Sequence, residues 1–229
     1  MLKPHLLIPA AGVGSRMKIG YPKQYMPFDE GRNLLETTAW RLSEMALFQT
    51  ISVVVSAEDA YIDHCDLPQD VTVLRYGGKT RAESVYNGLV ALELDNDWVL
   101  VHDAARPCVD KESICRLIDC LQEGKVDGAI LASPVTDTLK IVNTASIIEQ
   151  TVSRDFYRAA QTPQGFRAES LMNALADRLN SATDEASAME AIGAKIAVID
   201  SPSSNIKVTH PDDAILAKFF LQSIKGASL

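Results

Sequence analysis

The sequence lacks the features that mark membrane, secreted or zinc-cluster proteins. No apolar run approaches the roughly 18 residues that a membrane span needs, and the first apolar stretch is shorter than that of a signal peptide and leads directly into a turn motif. The 4 cysteines form no C-x-x-C pair and the 4 histidines are scattered, so neither a disulfide framework nor zinc-ligand spacing is present. We therefore expect free thiols, no membrane association and a cytoplasmic location.

Basic residues are also scarce, with 22 Lys and Arg against 30 Asp and Glu and a net charge of −8, which argues against a nucleic-acid partner. The first 32 residues nevertheless hold five basic and two acidic residues, a local charge of +3 that leaves about −11 for the rest. This concentration of positive charge predicts that a small anionic ligand binds near the start of the sequence.

The remaining composition, 47% hydrophobic and 23% charged over 229 residues, is typical of a single globular domain, here residues 1–229. Apolar strands alternate with amphipathic helices, and Asn33 with Glu36 forms a capping-box pattern at the first helix. This order predicts a three-layer, Rossmann-like α/β fold with a mostly parallel sheet. The predicted strands are 6–10, 51–56, 71–75, 98–101 and 128–132, and the predicted helices are 33–45, 80–92 and 111–121.

The alternation is interrupted by two short strands, 138–143 and 147–152, around a polar turn. They predict a β-hairpin arm at about 136–156 that projects from the domain. After it we expect helices at 168–179 and 184–192, strands at 195–199 and 206–208, and a last helix that begins at Pro211.

A glycine-rich segment follows the first predicted strand. Its small residues, Gly12 and Gly14 among them, let backbone N–H groups approach a phosphate chain closely. The spacing of a P-loop is absent, and Met17 stands where a dinucleotide-binding loop has its third glycine. Arg16 and Lys23 are placed to bracket phosphates, whereas glycines alone would indicate an ordinary strand-to-helix turn.

Seven segments in order resemble the nucleotidyltransferases that activate sugars and polyols, and more narrowly the 2-C-methyl-D-erythritol 4-phosphate cytidylyltransferase family of the non-mevalonate isoprenoid pathway. The resemblance extends from residue 6 to about residue 220. The segments are 7–17 with 21–24, then 77–85, 101–107, 137–140, 161–164, 183–188 and 205–209.

The resemblance implies that the protein transfers a cytidylyl group from CTP to a polyol phosphate with the help of Mg²⁺ or another divalent cation. It also implies a homodimer formed through the hairpin arm. The implied catalytic residues are Arg16, Lys23 and Lys207, and the implied nucleotide-binding residues are Ala10, Ala11, Gly12, Gly14, Gly78, Ser84, Asp103 and Ala104. The implied substrate-binding residues are Arg106, Thr138, Arg154 and Thr162.

Asp103 ends the fourth predicted strand, at the edge where open α/β sheets bind ligands. A carboxylate that faces a triphosphate requires a hard cation between them, so we interpret Asp103 as a metal ligand; a loop or capping role is the alternative. We expect the neighbouring His102 to be structural. Lys207 is expected at the end of the strand 206–208.

Several alternatives stay open at this point. Ribitol 5-phosphate cytidylyltransferases share much of the pattern, other sugar-phosphate nucleotidyltransferases use UTP or GTP, and a nucleotide-binding module without activity is conceivable. Lys79 stands where relatives can have an acidic residue, which leaves the base preference open if the side chain reads the base. The hydroxyl of Ser84 either reads the base or lies on the helix surface.

Overall fold

A seven-stranded sheet with helices on both faces forms the body of the protein in this computed structural model, which describes residues 2–12 and 20–226. The strands are β1 His5–Pro9, β2 Pro27–Asp29, β3 Arg32–Asn33, β4 Ile51–Val54, β5 Val71–Leu74, β6 Trp98–Val101, β7 Gly128–Pro134, β8 Leu139–Val142, β9 Ile148–Val152, β10 Arg158–Arg167 and β11 Ile196–Asp200. The helices are α1 Leu34–Glu44, α2 Arg81–Leu92, α3 Lys111–Gln122, α4 Ala168–Ala176, α5 Glu185–Glu190 and α6 Pro211–Gly226.

The order in the main sheet is β11-β7-β10-β6-β1-β4-β5, and every neighbouring pair is parallel except the two that involve β10. The predicted mostly parallel sheet is thus confirmed. The chain adds β4 and β5 on one side of β1 and then returns to place β6 on the other. Ligands of open α/β sheets bind at such a switch point, outside the carboxyl ends of the strands.

Side chains of the central strands alternate between two hydrophobic layers. Leu6 and Ile8 pack with the buried faces of α1 and α3, whereas Leu7 packs with those of α2 and α4. This arrangement confirms the three-layer fold, because both faces of the parallel strands are covered by helices. The predicted capping box at the start of α1 is also present, since Asn33 and Glu36 each accept a backbone N–H of the other.

Two predictions about strands are corrected. The ten-residue strand β10 lies between β6 and β7, antiparallel to both, where the sequence suggested no strand. Conversely, residues 206–208 form no strand, because this segment joins its neighbours through a single backbone bond from Val208 N–H to the Ala105 carbonyl. Lys207 therefore lies on a loop and not at a strand end.

The predicted hairpin is present as β8 and β9, which pair only with each other in a separate two-stranded sheet. Its apolar side chains at Ile141, Val142 and Ile148 are exposed. No helix in the described part of the chain is long and apolar enough to cross a membrane.

Candidate active site

A cavity of about 420 Å³ opens at the carboxyl ends of β1 and β6. This volume lies within the roughly 300–1,000 Å³ of small-molecule sites. The structure brings together there the predicted residues Ala10, Ala11, Gly12, Lys23, Gly78, Ser84, Asp103, Ala104 and Lys207. The predicted Gly14 and Arg16 lie outside the described residues.

The loop before α2 forms one wall of the cavity and is held by side chains of its own helix. Ser84 Oγ accepts the Gly78 N–H at 3.0 Å and donates to the Thr80 carbonyl at 2.9 Å. Glu83 accepts the Lys79 N–H at 2.6 Å, and a Cβ at Gly78 would lie 2.2 Å from the Glu83 Cγ. Ser84 is buried, so its hydroxyl is not on the helix surface; it fixes the loop.

The opposite wall is built by the turn at Lys23–Tyr25. The Lys23 ammonium donates to the Val208 carbonyl at 2.7 Å, which ties this turn to the loop that carries Lys207. Gln24 is buried and donates to the Ala10 carbonyl at 2.6 Å, at the end of β1. Gln24 thus fixes the start of the glycine-rich segment. The sequence did not suggest this role, although Gln24 lies in segment 21–24, which is part of the family resemblance.

Asp103 is the centre of a buried charge cluster. Its Oδ1 accepts from Arg81 Nε at 2.8 Å, and its Oδ2 lies 2.7 Å from the Lys207 ammonium and 3.7 Å from Arg106 Nε. Burial by itself would raise the pKa of Asp103, but the positive charges of these three residues outweigh it and hold the pKa well below its usual range. Asp103 therefore stays ionised at any physiological pH.

Arg81 and Glu185 complete this cluster and were missed by sequence reasoning. Both carboxylate oxygens of Glu185 accept from the Arg81 guanidinium, at 2.5 and 3.1 Å, and Glu185 is 1% exposed. The sequence predicted a helix that begins at residue 184, and Asp184 is the N-cap of α5. Glu185 could have been noticed because it lies in segment 183–188, one of the seven that carry the family resemblance. Its partner Arg81 lies in segment 77–85, and only the fold brings the two segments together.

His102 is fully buried and structural in its contacts. Its Nε2 lies 3.0 Å from the Arg106 carbonyl, which only accepts, so Nε2 carries the proton and donates. The Thr162 hydroxyl accepts the Asp103 N–H at 3.0 Å and donates to His102 Nδ1 at 3.1 Å. Burial lowers the pKa of His102 to about 4, and the imidazole is neutral at pH 7.

The predicted substrate-binding residues fall into two groups. Thr162 and Arg106 line a second cavity of about 200 Å³, which shares Arg81, Asp103 and Lys207 with the first. Arg106 donates to the carbonyls of Asn205 and Ala160, at 2.6 and 3.4 Å. Burial lowers the pKa of the Arg106 guanidinium, against the raising effect of Asp103.

Thr138 and Arg154 form the other group and line neither of these cavities. Arg154 follows β9 at the base of the hairpin, and its guanidinium donates to the Thr136 carbonyl. A shallow depression next to it is lined by Pro134, Asp155 and Arg158 among others. A single chain therefore does not bring these two residues to the predicted nucleotide site.

Comparison with known proteins identifies the chain. The sequence model of the family "IspD: 2-C-methyl-D-erythritol 4-phosphate cytidylyltransferase" matches residues 5–223. The chain belongs to this family. A 2-C-methyl-D-erythritol 4-phosphate cytidylyltransferase from Alteromonas mediterranea is 46% identical over 220 residues, which cover 94% of this chain and 92% of the relative. The protein of the same description from Laribacter hongkongensis is 47% identical over 219 residues, which cover 94% of this chain and 94% of the relative.

Solved structures of the family have the same fold. The crystal structure of the Francisella tularensis 2-C-methyl-D-erythritol 4-phosphate cytidylyltransferase superposes with a TM-score of 0.80 at 35% identity, and the match covers 95% of this chain and 99% of the other. A 4-diphosphocytidyl-2C-methyl-D-erythritol synthase structure gives the same TM-score at 38% identity, covering 96% and 100%. The resemblance stated from the seven segments is thus confirmed at the level of sequence and fold.

Proposed function

We propose that the protein is an enzyme that transfers the cytidylyl group of CTP to 2-C-methyl-D-erythritol 4-phosphate. The products are 4-diphosphocytidyl-2-C-methyl-D-erythritol and pyrophosphate, and the reaction belongs to non-mevalonate isoprenoid biosynthesis. The observation that carries this proposal is the family match over residues 5–223, together with a cavity in which Lys23, Lys207 and Asp103 meet.

The loop before α2 favours cytosine as the base of the bound nucleotide. The N–H groups of Gly78 and Lys79 already donate to Ser84 and Glu83, so the backbone groups that these two residues offer to a base are their carbonyl oxygens. Cytosine has an exocyclic amine that donates to such acceptors, whereas uracil has a carbonyl at the same position. If the backbone reads the base, the Lys79 side chain is compatible with CTP.

The chemistry requires charge neutralisation and positioning, and no general base. The phosphate of the polyol is already ionised at pH 7; one of its oxygens forms a bond to the α-phosphorus of CTP, and the bond from that phosphorus to the bridging oxygen of the pyrophosphate breaks in line. Negative charge grows on the α-phosphoryl oxygens, and the ammonium groups of Lys23 and Lys207 stabilise it. We assign the same role to Arg16, which lies outside the described residues.

The donor set fits a divalent cation such as Mg²⁺ that is held mainly by the nucleotide. Asp103 is the acidic residue among the described residues that line the cavity, and these residues include no group of three or more His, Cys, Asp or Glu side chains able to hold a metal. Magnesium commonly takes one or two carboxylates together with substrate phosphates and water. When bound, the cation supplies positive charge to the triphosphate oxygens.

We also infer that two copies of the chain associate through the hairpin arm. The arm carries exposed apolar side chains, and Phe156 at its base is 90% exposed. Such a surface is typical of an interface. Thr138 and Arg154 would then reach the sugar phosphate bound by the neighbouring subunit, which explains why neither lines the two cavities around Asp103 in its own chain.

A matrix of nucleotides and polyol phosphates tests the reaction. Purified protein is incubated with CTP, UTP or GTP and with methylerythritol 4-phosphate or ribitol 5-phosphate, and metal-dependent release of pyrophosphate is measured. We expect release with CTP and methylerythritol 4-phosphate only. Faster turnover of ribitol 5-phosphate, or no turnover with any pair, would overturn the proposal.

Subunit complementation tests the role of the arm. Lys23→Ala and Arg154→Ala are each expected to impair the enzyme, Arg154→Ala by raising the KM for the sugar phosphate with little change in CTP affinity. If Arg154 acts across the dimer, randomly mixed subunits recover about a quarter of the wild-type rate, because half of the dimers contain one intact site. No recovery in verified heterodimers, or a selective CTP defect, would contradict the assignment.

A further inference from the structure

Glu185 is a buried carboxylate that does not line the nucleotide cavity. It is the first residue of α5 and 1% exposed, and both of its oxygens accept from the terminal nitrogens of Arg81. A bidentate carboxylate–guanidinium pair fixes the orientation of both groups. Glu185 therefore determines how the Arg81 guanidinium is placed.

Arg81, oriented by Glu185, in turn positions the carboxylate of Asp103. With both terminal nitrogens bonded to Glu185, its Nε donates to Asp103 Oδ1 at 2.8 Å. Arg81 thus holds one oxygen of Asp103, and the other oxygen is directed to the more exposed Lys207 at 2.7 Å. If Glu185 were absent, the guanidinium would be free to turn and to engage both oxygens of Asp103.

The charge of Glu185 matters as much as its geometry. Three cationic side chains, Arg81, Arg106 and Lys207, lie within 4 Å of Asp103, and Asp103 and Glu185 are the two carboxylates that compensate them. The cluster therefore has a formal charge of +1 with Glu185 and +2 without it. A divalent cation approaches the first arrangement with less repulsion.

We propose that Glu185 is a positioning residue of the reaction, which acts through Arg81 to keep that guanidinium away from Oδ2 of Asp103. The divalent cation then reaches Oδ2 by displacing the more exposed Lys207 ammonium, and Arg81 stays on Oδ1. This inference rests on the proposed function, in which Asp103 holds that cation. Groups that orient a metal-ligating side chain typically change metal affinity by about 10- to 100-fold when they are replaced. We expect the affinity for the divalent cation to change by this factor and the KM for the sugar phosphate to change little.

The test measures binding of Mn²⁺ to the complex with CTP by electron paramagnetic resonance, with the protein in excess over CTP so that little nucleotide is free to bind the metal. The KM values of the holoenzyme are measured beside it. Glu185→Gln removes the charge and keeps the volume, and we expect Mn²⁺ binding about 10- to 100-fold weaker with an unchanged KM for methylerythritol 4-phosphate. Glu185→Asp keeps the charge but has a shorter side chain, so the Mn²⁺ affinity of this variant should lie between those of the wild type and Glu185→Gln. If Glu185→Gln fails to fold, the comparison of Glu185→Asp with the wild type carries the test.

Glu36→Gln is the matched control for a purely structural effect. Glu36 is also a buried carboxylate with two bonds, from the N–H groups of Asn33 and Asp66, but it lies outside both cavities. We expect it to lower the Tm and leave Mn²⁺ affinity unchanged. Equal Mn²⁺ affinity in the wild type and both Glu185 variants would overturn the inference.

Asp103→Asn separates this inference from the proposed function. If Asp103→Asn weakens Mn²⁺ binding while the Glu185 variants bind normally, the metal assignment stands and the positioning role is wrong. If Asp103→Asn binds Mn²⁺ as the wild type does, the proposed metal ligand itself is wrong.

Discussion

The buried His102 makes a specific prediction about acid stability. Its pKa is about 4 against an ordinary value of 6.5, chiefly because burial disfavours the imidazolium. Among its charged neighbours, Asp103 favours protonation whereas Arg106 and Arg81 oppose it. Protonation at Nδ1 would also point an N–H at the Thr162 hydroxyl, which donates to that nitrogen and accepts the Asp103 N–H. Charging His102 therefore disturbs the backbone that positions Asp103.

The sign and size follow from linkage between protonation and folding. Between pH 6.5 and 4 the unfolded chain binds a proton at His102 that the folded chain does not, so stability is lost as the pH falls through this window. At 1.36 kcal/mol per pH unit, the interval from 6.5 to about 4 corresponds to about 3 kcal/mol. Above pH 7 His102 adds nothing to the pH dependence of the free energy of unfolding, because it is neutral in both the folded and the unfolded chain. Asp103 adds pH dependence only as the pH falls below its ordinary pKa of 3.8, because the folded protein lowers its pKa from that value.

Urea unfolding at a series of pH values from 4.5 to 7.5 measures this loss. The comparison is His102→Gln, which has no titratable group, and the difference between the two curves isolates His102. We expect the free energy of unfolding of the wild type to fall more steeply, by up to about 1.4 kcal/mol per pH unit. Parallel curves, or a His102 Cε1–H resonance that titrates near pH 6.5, would refute the reasoning.

Three further substitutions test the site and the core. Lys23→Ala should lower kcat by roughly 10²–10³, by analogy with the loss of one oxyanion donor; an unchanged kcat in pyrophosphate-release assays would remove Lys23 from the chemistry. Ser84→Ala deprives the Gly78 N–H of its acceptor, which costs about 1–3 kcal/mol and should raise the KM for CTP about tenfold with little change in kcat; an unchanged KM would contradict the role of the hydroxyl. In Gly128→Ala the new Cβ would lie 2.1 Å from the Phe166 ring; we expect a loss of about 1–3 kcal/mol in urea unfolding, and Phe166→Leu in the same chain should recover part of it.

Local order along the chain was predictable from sequence because it depends on neighbouring residues. The capping box at Asn33 and Glu36 needs only residues three apart, and the strand Trp98–Val101 is a continuous apolar run with a polar residue at its end. The order of strands and helices then leads to a parallel sheet whose carboxyl edge holds Asp103. The glycine-rich segment and Lys23 indicated one part of the cavity wall, and the family resemblance implied Gly78, Ser84 and Lys207 in the rest.

The strand β10 was not predictable in the same way. Its segment contains a proline and a glycine, residues that disfavour strands when considered alone. Gly165 fits because a Cβ there would lie 2.7 Å from both Leu100 and Leu121, so neighbouring side chains fill its place. The converse error, a strand at 206–208, arose because an apolar β-branched pattern cannot reveal that the segment has no strand beside it.

By itself the sequence determined the fold class and the family, and its motifs nominated many of the residues that line the cavity at the carboxyl edge, since these follow from patterns within short segments. Only the tertiary structure decided which charges compensate one another. Arg81 and Glu185 belong to motifs far apart in the chain. Their pairing, like the placement of Asp103 among three cations, exists because the first residues of α2 and α5, the loop after β6 and the loop with Lys207 meet in space. Electrostatic partners are set by distance in space, which no spacing along the chain records.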